Sequence, residues 1–262
     1  MNKLKEDIKK LLEIIKSLDK KVITIFLTIG VIQTISWYYT SRRFFRANLY
    51  YDVFGGNQNV ELYEFLFWFI GDFIALFVLP LLIIKIFLKE RISDFGVKFG
   101  DIKIGLKYSF IFLAFMVPVI WFISASPAFA IKYPHLQKAK MDWMLFLIYE
   151  MGMLLYMFSW EFIWRGFMLF GLEVKFGYYA VLIQMIPFVI LHNGKPDIET
   201  FSSILGGIAL GILALRTRSF IYGVIVHMGV MLSIDFFSTL RYRANDFGIG
   251  FDSFLNAISE FF

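Results

Sequence analysis

The sequence contains no cysteine and only three histidines, and only 18% of its 262 residues are charged. The absence of cysteine excludes disulfides and thiolate metal sites, and it leaves the redox compartment undetermined. Average proteins are about 25% charged, so this shortage of charge excludes an ordinary soluble domain. The chain also shows no internal repeat, no low-complexity tract and no interleaved basic-aromatic surface, and nucleic acid is therefore not an expected partner.

Apolar residues make up 59% of the chain, and its charges cluster between long apolar runs. A membrane-spanning helix needs about 20 mainly apolar residues, and spanning segments must satisfy their backbone groups internally. Seven regions qualify or come close: 22–38, 62–87, 106–130, 142–172, 178–192, 200–215 and 219–240. These regions predict an all-α, polytopic transmembrane helical bundle of about seven to eight spans, with 251–262 as an eighth, partial helix.

The first 21 residues differ from the single transmembrane domain predicted over 22–262. Their apolar residues recur at helical spacing among lysines, without the short apolar core of a signal peptide. Such a pattern is typical of an amphipathic helix on an anionic membrane surface, and a solvated helical extension is the alternative. Lys and Arg are more numerous on the N-terminal side of the predicted spans, which predicts a cytoplasmic N-terminus in a multi-pass membrane protein.

Three ionisable residues lie inside apolar stretches, where such residues are rare and usually functional. They are Glu161, His192 and His227, and the third histidine, His135, lies in a polar loop. Each of the three belongs to a short motif: Trp160-Glu161-x-x-x-Arg165-Gly166, Phe188-x-x-x-His192 and His227-x-x-x-Met231. A satisfied core histidine or a buried ion pair is the structural alternative for any one motif alone, but the three together favour an active site.

Glu161 and Arg165 are four residues apart and are expected to share a helix face. A desolvated glutamate is suited to take a proton from water, and a neighbouring histidine can orient that water. A second histidine can donate a hydrogen bond to a developing oxyanion. These groups predict hydrolysis of an amide by activated water without a covalent intermediate, and no cofactor is expected. Zinc stays open, since two histidines and a carboxylate are a possible ligand set, but no His-Glu-x-x-His motif is present.

The order and spacing of the three motifs resemble the CAAX-protease and bacteriocin-processing family, also called CPBP or Abi, over about residues 145–240. The family consists of intramembrane proteases and includes prenyl-protein endopeptidases that remove three residues after a lipidated cysteine. Its pattern is Glu-Glu-x-x-x-Arg, Phe-x-x-x-His and His-x-x-x-Asn/Asp on separate helices. The resemblance implies that His192 orients the water and that His227 acts on the oxyanion side.

Two residues depart from the family pattern. Trp160 occupies the place of the first glutamate, which in the family is thought to activate the water, and Met231 occupies the place of the last asparagine. The resemblance thus gives Glu161 the role of the second glutamate. A role as general base is inferred because Glu161 is the one carboxylate left in its motif. Asn193 is another candidate hydrogen-bond donor, and Asp235, two turns beyond His227, is a weaker candidate that could contribute polarity.

Three functions follow as hypotheses. The first is a glutamate-dependent intramembrane endopeptidase that cleaves a membrane-associated peptide or protein. The second is a catalytically impaired member of the family that binds a peptide, for example as an immunity protein, and the two departures motivate it. The third is a proton-coupled transporter in which Glu161 and the histidines relay protons, although inverted repeats, common in transporters, are not detected.

Overall fold

The computed structural model describes residues 2–261, with only the backbone described for residue 2, and it contains no strand within that range. Helices follow one another along the chain, joined mostly by short turns. We number the ten main helices α1 Asn2–Ser17, α2 Lys20–Asn48, α3 Val60–Leu88, α4 Ile102–Ile123, α5 Pro127–Lys132, α6 Trp143–Phe176, α7 Tyr179–Ile190, α8 Asp197–Thr217, α9 Ile221–Ala244 and α10 Phe251–Ser259.

Six of these helices, α2, α3, α4, α6, α8 and α9, are long and apolar enough to cross a membrane. The prediction of an all-α polytopic bundle is confirmed, and the protein is an integral, multi-pass membrane protein. Helix α7, in the predicted region 178–192, has only 12 residues and contains Pro187. The terminal segment forms the nine-residue helix α10, which is too short to cross a bilayer. The cytoplasmic placement of the N-terminus stays a prediction.

Aspartates begin several of the long helices by accepting hydrogen bonds from the free backbone N–H groups of the first turn. Asp19 accepts bonds from two such groups of α2, at 2.9 and 3.1 Å. Asp142 does the same for α6 at 2.7 and 3.1 Å, and Asp101 caps α4 at 3.0 Å. Helices α8 and α9 end where Arg218 and Asn245 adopt the left-handed conformation. These local signals set the helix boundaries that position the site.

The outer surface of the bundle is strongly apolar. Phe110 and Leu205, on α4 and α8, are 74% and 73% exposed, and many other large apolar side chains are also exposed. An apolar surface of this extent on a water-soluble monomer would be abnormal. It fits helices whose outer faces contact lipid, so the exposed phenylalanines complete the case for a membrane protein. Helix α1 is also exposed along its length, and its location at the membrane surface stays a prediction.

Helix α6 is central to the architecture because it packs against α3 on one side and α9 on the other. Helix α9 also packs on α4, and α7 pairs with α8. Small residues allow the close approach of α7 and α8: a Cβ at Gly207 would lie 2.9 Å from Met185 Cγ, and one at Gly211 would lie 2.9 Å from Val181 Cγ1. This packing brings parts of α6, α7, α8 and α9 around one buried region.

Candidate functional site

A cavity of about 450 Å³ opens between α4, α8, α9 and the end of α7. Most of its wall is apolar, and aromatic, isoleucine, valine and methionine side chains dominate it. The exceptions include the imidazoles of His192 and His227, the carboxylate of Glu199 and the hydroxyls of Ser202 and Ser203. The cavity therefore suits an apolar ligand that presents a polar group to two histidines.

Glu161 lies behind His227 and does not belong to the cavity wall. Its Oε1 atom is 2.7 Å from Nδ1 of His227 and 3.0 Å from Nη1 of Arg165. The carboxylate and the guanidinium are both fully buried, whereas the His227 side chain is 10% exposed. The ion pair with Arg165 keeps Glu161 in its acceptor form, so Nδ1 of His227 donates to it. Nε2 is the ring nitrogen that remains for chemistry in the cavity.

The local backbone explains why Glu161 and Arg165 face the same way. Glu161 ends the regular part of α6, and residues Phe162–Met168 continue as a π-helical segment that contains Arg165. Wider π-helical turns are rare and frequent at functional sites. Gly223 on α9 leaves room for the carboxylate, because a Cβ there would lie 2.6 Å from Glu161 Oε2. The predicted pairing of Glu161 with Arg165 is therefore observed.

His192 follows the end of α7 and lies outside the six candidate spans. Its Nδ1 is 2.7 Å from the carbonyl oxygen of Phe188 and must carry a proton to donate to it. Burial, and then the charge of Lys195, lower the pKa of His192 to about 3. The ring is thus neutral at physiological pH, and its Nε2 is an acceptor.

The two imidazoles face one another across a short gap. Their ring centroids are 6.3 Å apart and their planes differ by 20°. The ring of Phe188 packs against both, at 4.4 Å from His192 and 5.9 Å from His227. A gap of this size suits a water molecule that contacts both rings, since it is about twice the hydrogen-bond reach.

Trp160 and Met231, the two departures from the family pattern, are both near the histidines. Trp160 is buried, and its ring centroid is 6.4 Å from that of His192. Met231 lines the cavity one turn after His227. Asn193 is exposed and is not part of the cavity wall. The structure therefore gathers Trp160 and Met231 at the predicted site and leaves the amide of Asn193 outside it.

Glu199 is a cavity residue that the sequence reasoning did not select. Its Oε1 accepts a hydrogen bond from Lys195 at 2.5 Å, and its Oε2 accepts one from the hydroxyl of Tyr133. Thr200, the next residue, donates to the backbone carbonyl of His192 at 3.0 Å. The spacing of Lys195 and Glu199, four apart at a predicted helix start, was the available signal, but Tyr133 comes from a distant loop.

Metal binding finds no further support in these side chains. Within residues 2–261, no group of three or more His, Asp or Glu side chains has an arrangement that could hold a metal ion. Of the three residues that could form a zinc site, Glu161 already accepts from Arg165 and His227 through the same oxygen. The expectation of hydrolysis without a cofactor stays a prediction.

The fold and the site together are those of a membrane-embedded helical bundle with a histidine and glutamate centre. Residues 142–233 match a family model described as "Type II CAAX prenyl endopeptidase Rce1-like", and this stretch contains all three motifs. The resemblance to the CAAX-protease and bacteriocin-processing family is confirmed over these residues, and at the level of the family it supports a CAAX-type intramembrane protease. No curated protein and no solved structure matches the chain.

Proposed function

We propose that this protein is a glutamate-dependent intramembrane endopeptidase in which Glu161 acts through His227. The observation that carries the proposal is the 2.7 Å contact between Glu161 Oε1 and His227 Nδ1, at the wall of an apolar cavity. A carboxylate that accepts from one ring nitrogen fixes the tautomer of a histidine and increases the basicity of the other nitrogen. Glu161 is then a positioning residue, and His227 is the general base.

The reaction is hydrolysis of a peptide bond. Nε2 of His227 takes a proton from a water molecule, and Nε2 of His192 accepts the second hydrogen bond of that water and orients it. The water oxygen attacks the carbonyl carbon and forms a tetrahedral intermediate. When the C–N bond breaks, the protonated His227 returns the proton to the leaving amine. Glu161 stabilises the imidazolium of His227 while that proton is held.

The cavity wall supports a membrane-associated peptide or protein as the substrate class. Its apolar residues come from α4 and α8, whose outer faces are also apolar. A peptide that carries a long apolar group could reach the histidines from the lipid phase without crossing a polar barrier. Binding of such a group is driven by removal of apolar surface from water.

Terminal-peptide mass spectrometry tests the proposal in cells that produce the wild type, Glu161→Gln or His227→Ala. Both variants are expected to lose about 10²–10⁴-fold in cleavage rate, the usual contribution of general base catalysis. His135→Gln is the matched control, because His135 lies in a loop away from the cavity wall. Assays of the same purified proteins with a peptide that the wild type cleaves then show whether the loss of cleavage is direct. Equal cleavage by wild type and His227→Ala would refute the proposed base.

Trp160 favours a second candidate function, namely a peptide-binding protein with impaired catalysis. Its indole packs beside His192 at the place that the family motif gives to a glutamate, and indole cannot act as a base. Under this candidate, the wild type binds peptide but does not cleave it, and Trp160→Glu gains hydrolytic activity. Under the first candidate, the wild type already cleaves and Trp160→Glu is less active because it disturbs the packing around His192.

A further inference from the structure

Two buried carboxylates face one another between α6 and α9, away from the cavity. Glu150 on α6 is 5% exposed, and Asp235 on α9 is fully buried. The two carboxyl groups are hydrogen-bond neighbours of each other. Nevertheless, none of their four oxygens accepts a hydrogen bond from a donor among the described residues. The proposed hydrolysis uses neither group.

The donors in this region are committed elsewhere. Tyr133 and Lys195 both donate to Glu199. The ammonium group of Lys140 bonds to the carbonyl of Ala130 at 2.8 Å and to the side chain of Gln137 at 2.6 Å. None of these cations or hydroxyls reaches the pair, although Tyr133, Lys140, Lys195 and Glu199 all lie close enough to Asp235 to influence it electrostatically.

Two neutral hydroxyls belong to residues next to the pair or one turn away from it. Tyr149, the neighbour of Glu150, is fully buried and its hydroxyl has no hydrogen-bond partner among the described residues. The same holds for Thr239, one turn after Asp235 on α9. Among the residues that the structure describes, none of these groups therefore places a positive charge in direct contact with the pair.

Two negative charges in contact inside a membrane protein would be strongly unfavourable. An isolated ionised carboxylate already costs many kcal/mol to bury, and such a group neutralises instead. When two carboxyl groups share a site, like-charge repulsion makes one of them retain its proton. A single proton satisfies both groups, because a carboxylic acid donates to the carboxylate that faces it.

We infer that Glu150 and Asp235 form a binding site for one proton, and that this proton holds α6 against α9. The same two helices carry Glu161 and His227 at their other contact. Loss of the proton would place two like charges in contact and push the helices apart, which would disturb the Glu161–His227 hydrogen bond. Alkaline pH is thus expected to loosen the bundle at this pair.

Infrared spectroscopy of the full-length protein in lipid nanodiscs tests for the bound proton directly. A protonated carboxyl group gives a C=O band that shifts in D₂O. We expect this band at neutral pH in the wild type. We expect its loss in both Glu150→Gln and Asp235→Asn, because the amide N–H donates a hydrogen bond to the remaining carboxylate, which then needs no bound proton. Two single variants are used so that a folding defect in one does not decide the result.

Thermal unfolding as a function of pH tests the coupling to stability. The unfolding midpoint of the wild type is expected to fall by several degrees as the pH rises from neutral to alkaline, because the folded chain keeps a proton that the unfolded chain has released. The midpoints of both amide variants should change much less. Glu64→Gln is the matched control. Glu64 is also a buried carboxylate inside a span, but it forms ion pairs with Arg42 and Arg46 at 2.5 and 2.9 Å. This variant should keep the alkaline fall of the wild type.

Three results would overturn the inference. The first is an infrared spectrum of the wild type that contains no D₂O-sensitive carboxyl band, or one that contains such a band which neither amide variant removes. The second is a midpoint that rises with sodium chloride but not with choline chloride, in the wild type alone, because the occupant of the pair would then be a metal cation. The third is an equal fall of the unfolding midpoint at alkaline pH in the wild type and in both amide variants, which would show that the proton does not hold the helices together.

Discussion

Helices α6 and α9 meet at two contacts, and the buried carboxylates at these contacts have opposite surroundings. At one contact, Glu161 accepts hydrogen bonds from Arg165 and His227. At the other, Glu150 faces Asp235 with no donor among the described residues. The two contacts are 11 residues apart on α6, which is about 16 Å along a helix. The same pair of helices therefore holds one carboxylate as an anion and requires a proton at the other.

The comparison shows that burial alone does not define a functional carboxylate. Glu161, Glu150 and Asp235 are all buried within the spans. Of the three, only Glu161 contacts a guanidinium and an imidazole whose ring lines the cavity. An ionised group with a proton-accepting neighbour can take part in acid-base catalysis, whereas a carboxyl pair that shares a proton can respond to pH. Partners, more than depth in the membrane, separate the two roles.

Removal of the charge from Glu161 should have the largest effect on stability. Glu161→Leu leaves the Arg165 guanidinium buried without a counter-charge, which is expected to cost about 3–5 kcal/mol in the free energy of unfolding. The double variant Glu161→Leu with Arg165→Met should recover most of this loss, because no buried charge remains. Denaturant unfolding of the single and double variants in detergent measures both values. If the double variant is no more stable than Glu161→Leu alone, Glu161 and Arg165 do not form an ion pair in the folded protein.

Gly223→Ala should damage the same contact from the side of α9. The added Cβ would lie 2.6 Å from Glu161 Oε2, so the carboxylate must move away from His227. We expect a stability loss of about 1–3 kcal/mol, as for other overpacked cores, and a larger proportional loss of cleavage. Gly30→Ala is the control, because a Cβ there has no neighbour within 4 Å and Gly30 is not part of the cavity wall. Equal activity of the two variants would contradict the positioning role of Glu161.

Acid should weaken the cavity contact, whereas alkali should weaken the Glu150–Asp235 contact. The pKa of His192 is lowered to about 3 by burial and by Lys195, whereas an unfolded histidine has a pKa of about 6.5. Below that value the unfolded chain gains a proton that the folded chain does not, so stability falls as the pH drops. His192 alone should remove about 2 kcal/mol at about pH 5.

Unfolding curves at a series of pH values measure this acid effect, and His192→Gln should make the acid slope shallower. His135→Gln is a second test, because burial, followed by the charges of Lys195 and Lys132, lowers the pKa of His135 to about 3 as well. Unchanged acid slopes in both variants would mean that neither ring is kept neutral by the fold.

Replacement of the unpartnered pair should have the smallest effect on stability. In the double variant Glu150→Leu with Asp235→Leu, both carboxyl groups give way to apolar side chains of similar size. Such replacements of buried charged groups are often neutral or stabilising, and we expect a change within about 1 kcal/mol at neutral pH. Unfolding at neutral and alkaline pH measures it, and the alkaline weakening should disappear. A large loss of stability at neutral pH would show that the pair makes contacts beyond its shared proton.

The sequence predicted the helical bundle, and the roles of the selected site residues stay predictions. Apolar runs identified the long helices because a span must be about 20 apolar residues, and the spacing of Glu161 and Arg165 placed both on one face of α6. The weak points were the short segments. The region 178–192 yielded a helix of 12 residues, and 251–262 yielded one of nine, since Pro187 and the flanking polar turns limit helix length more than hydropathy indicates.

Other features could not be read from the sequence. Tyr133 and Glu199 are 66 residues apart, and Glu150 and Asp235 are also far apart in the chain, so no local spacing links either pair. Asp235 was considered as a source of polarity for the site near His227, but its carboxylate faces Glu150 instead of the cavity. The angular position of a residue on a helix becomes meaningful only when the neighbouring helices are known.

The sequence by itself determined the membrane environment, the approximate helices and the identity of the three polar motifs, because hydropathy and helical periodicity are local properties of the chain. Only the tertiary structure decided how the motif residues are arranged in space. It placed Glu161 behind His227, outside the cavity wall, and it brought Glu150 against Asp235. The physical reason is that the ionisation state of a buried group depends on its partners, and those partners lie on other helices.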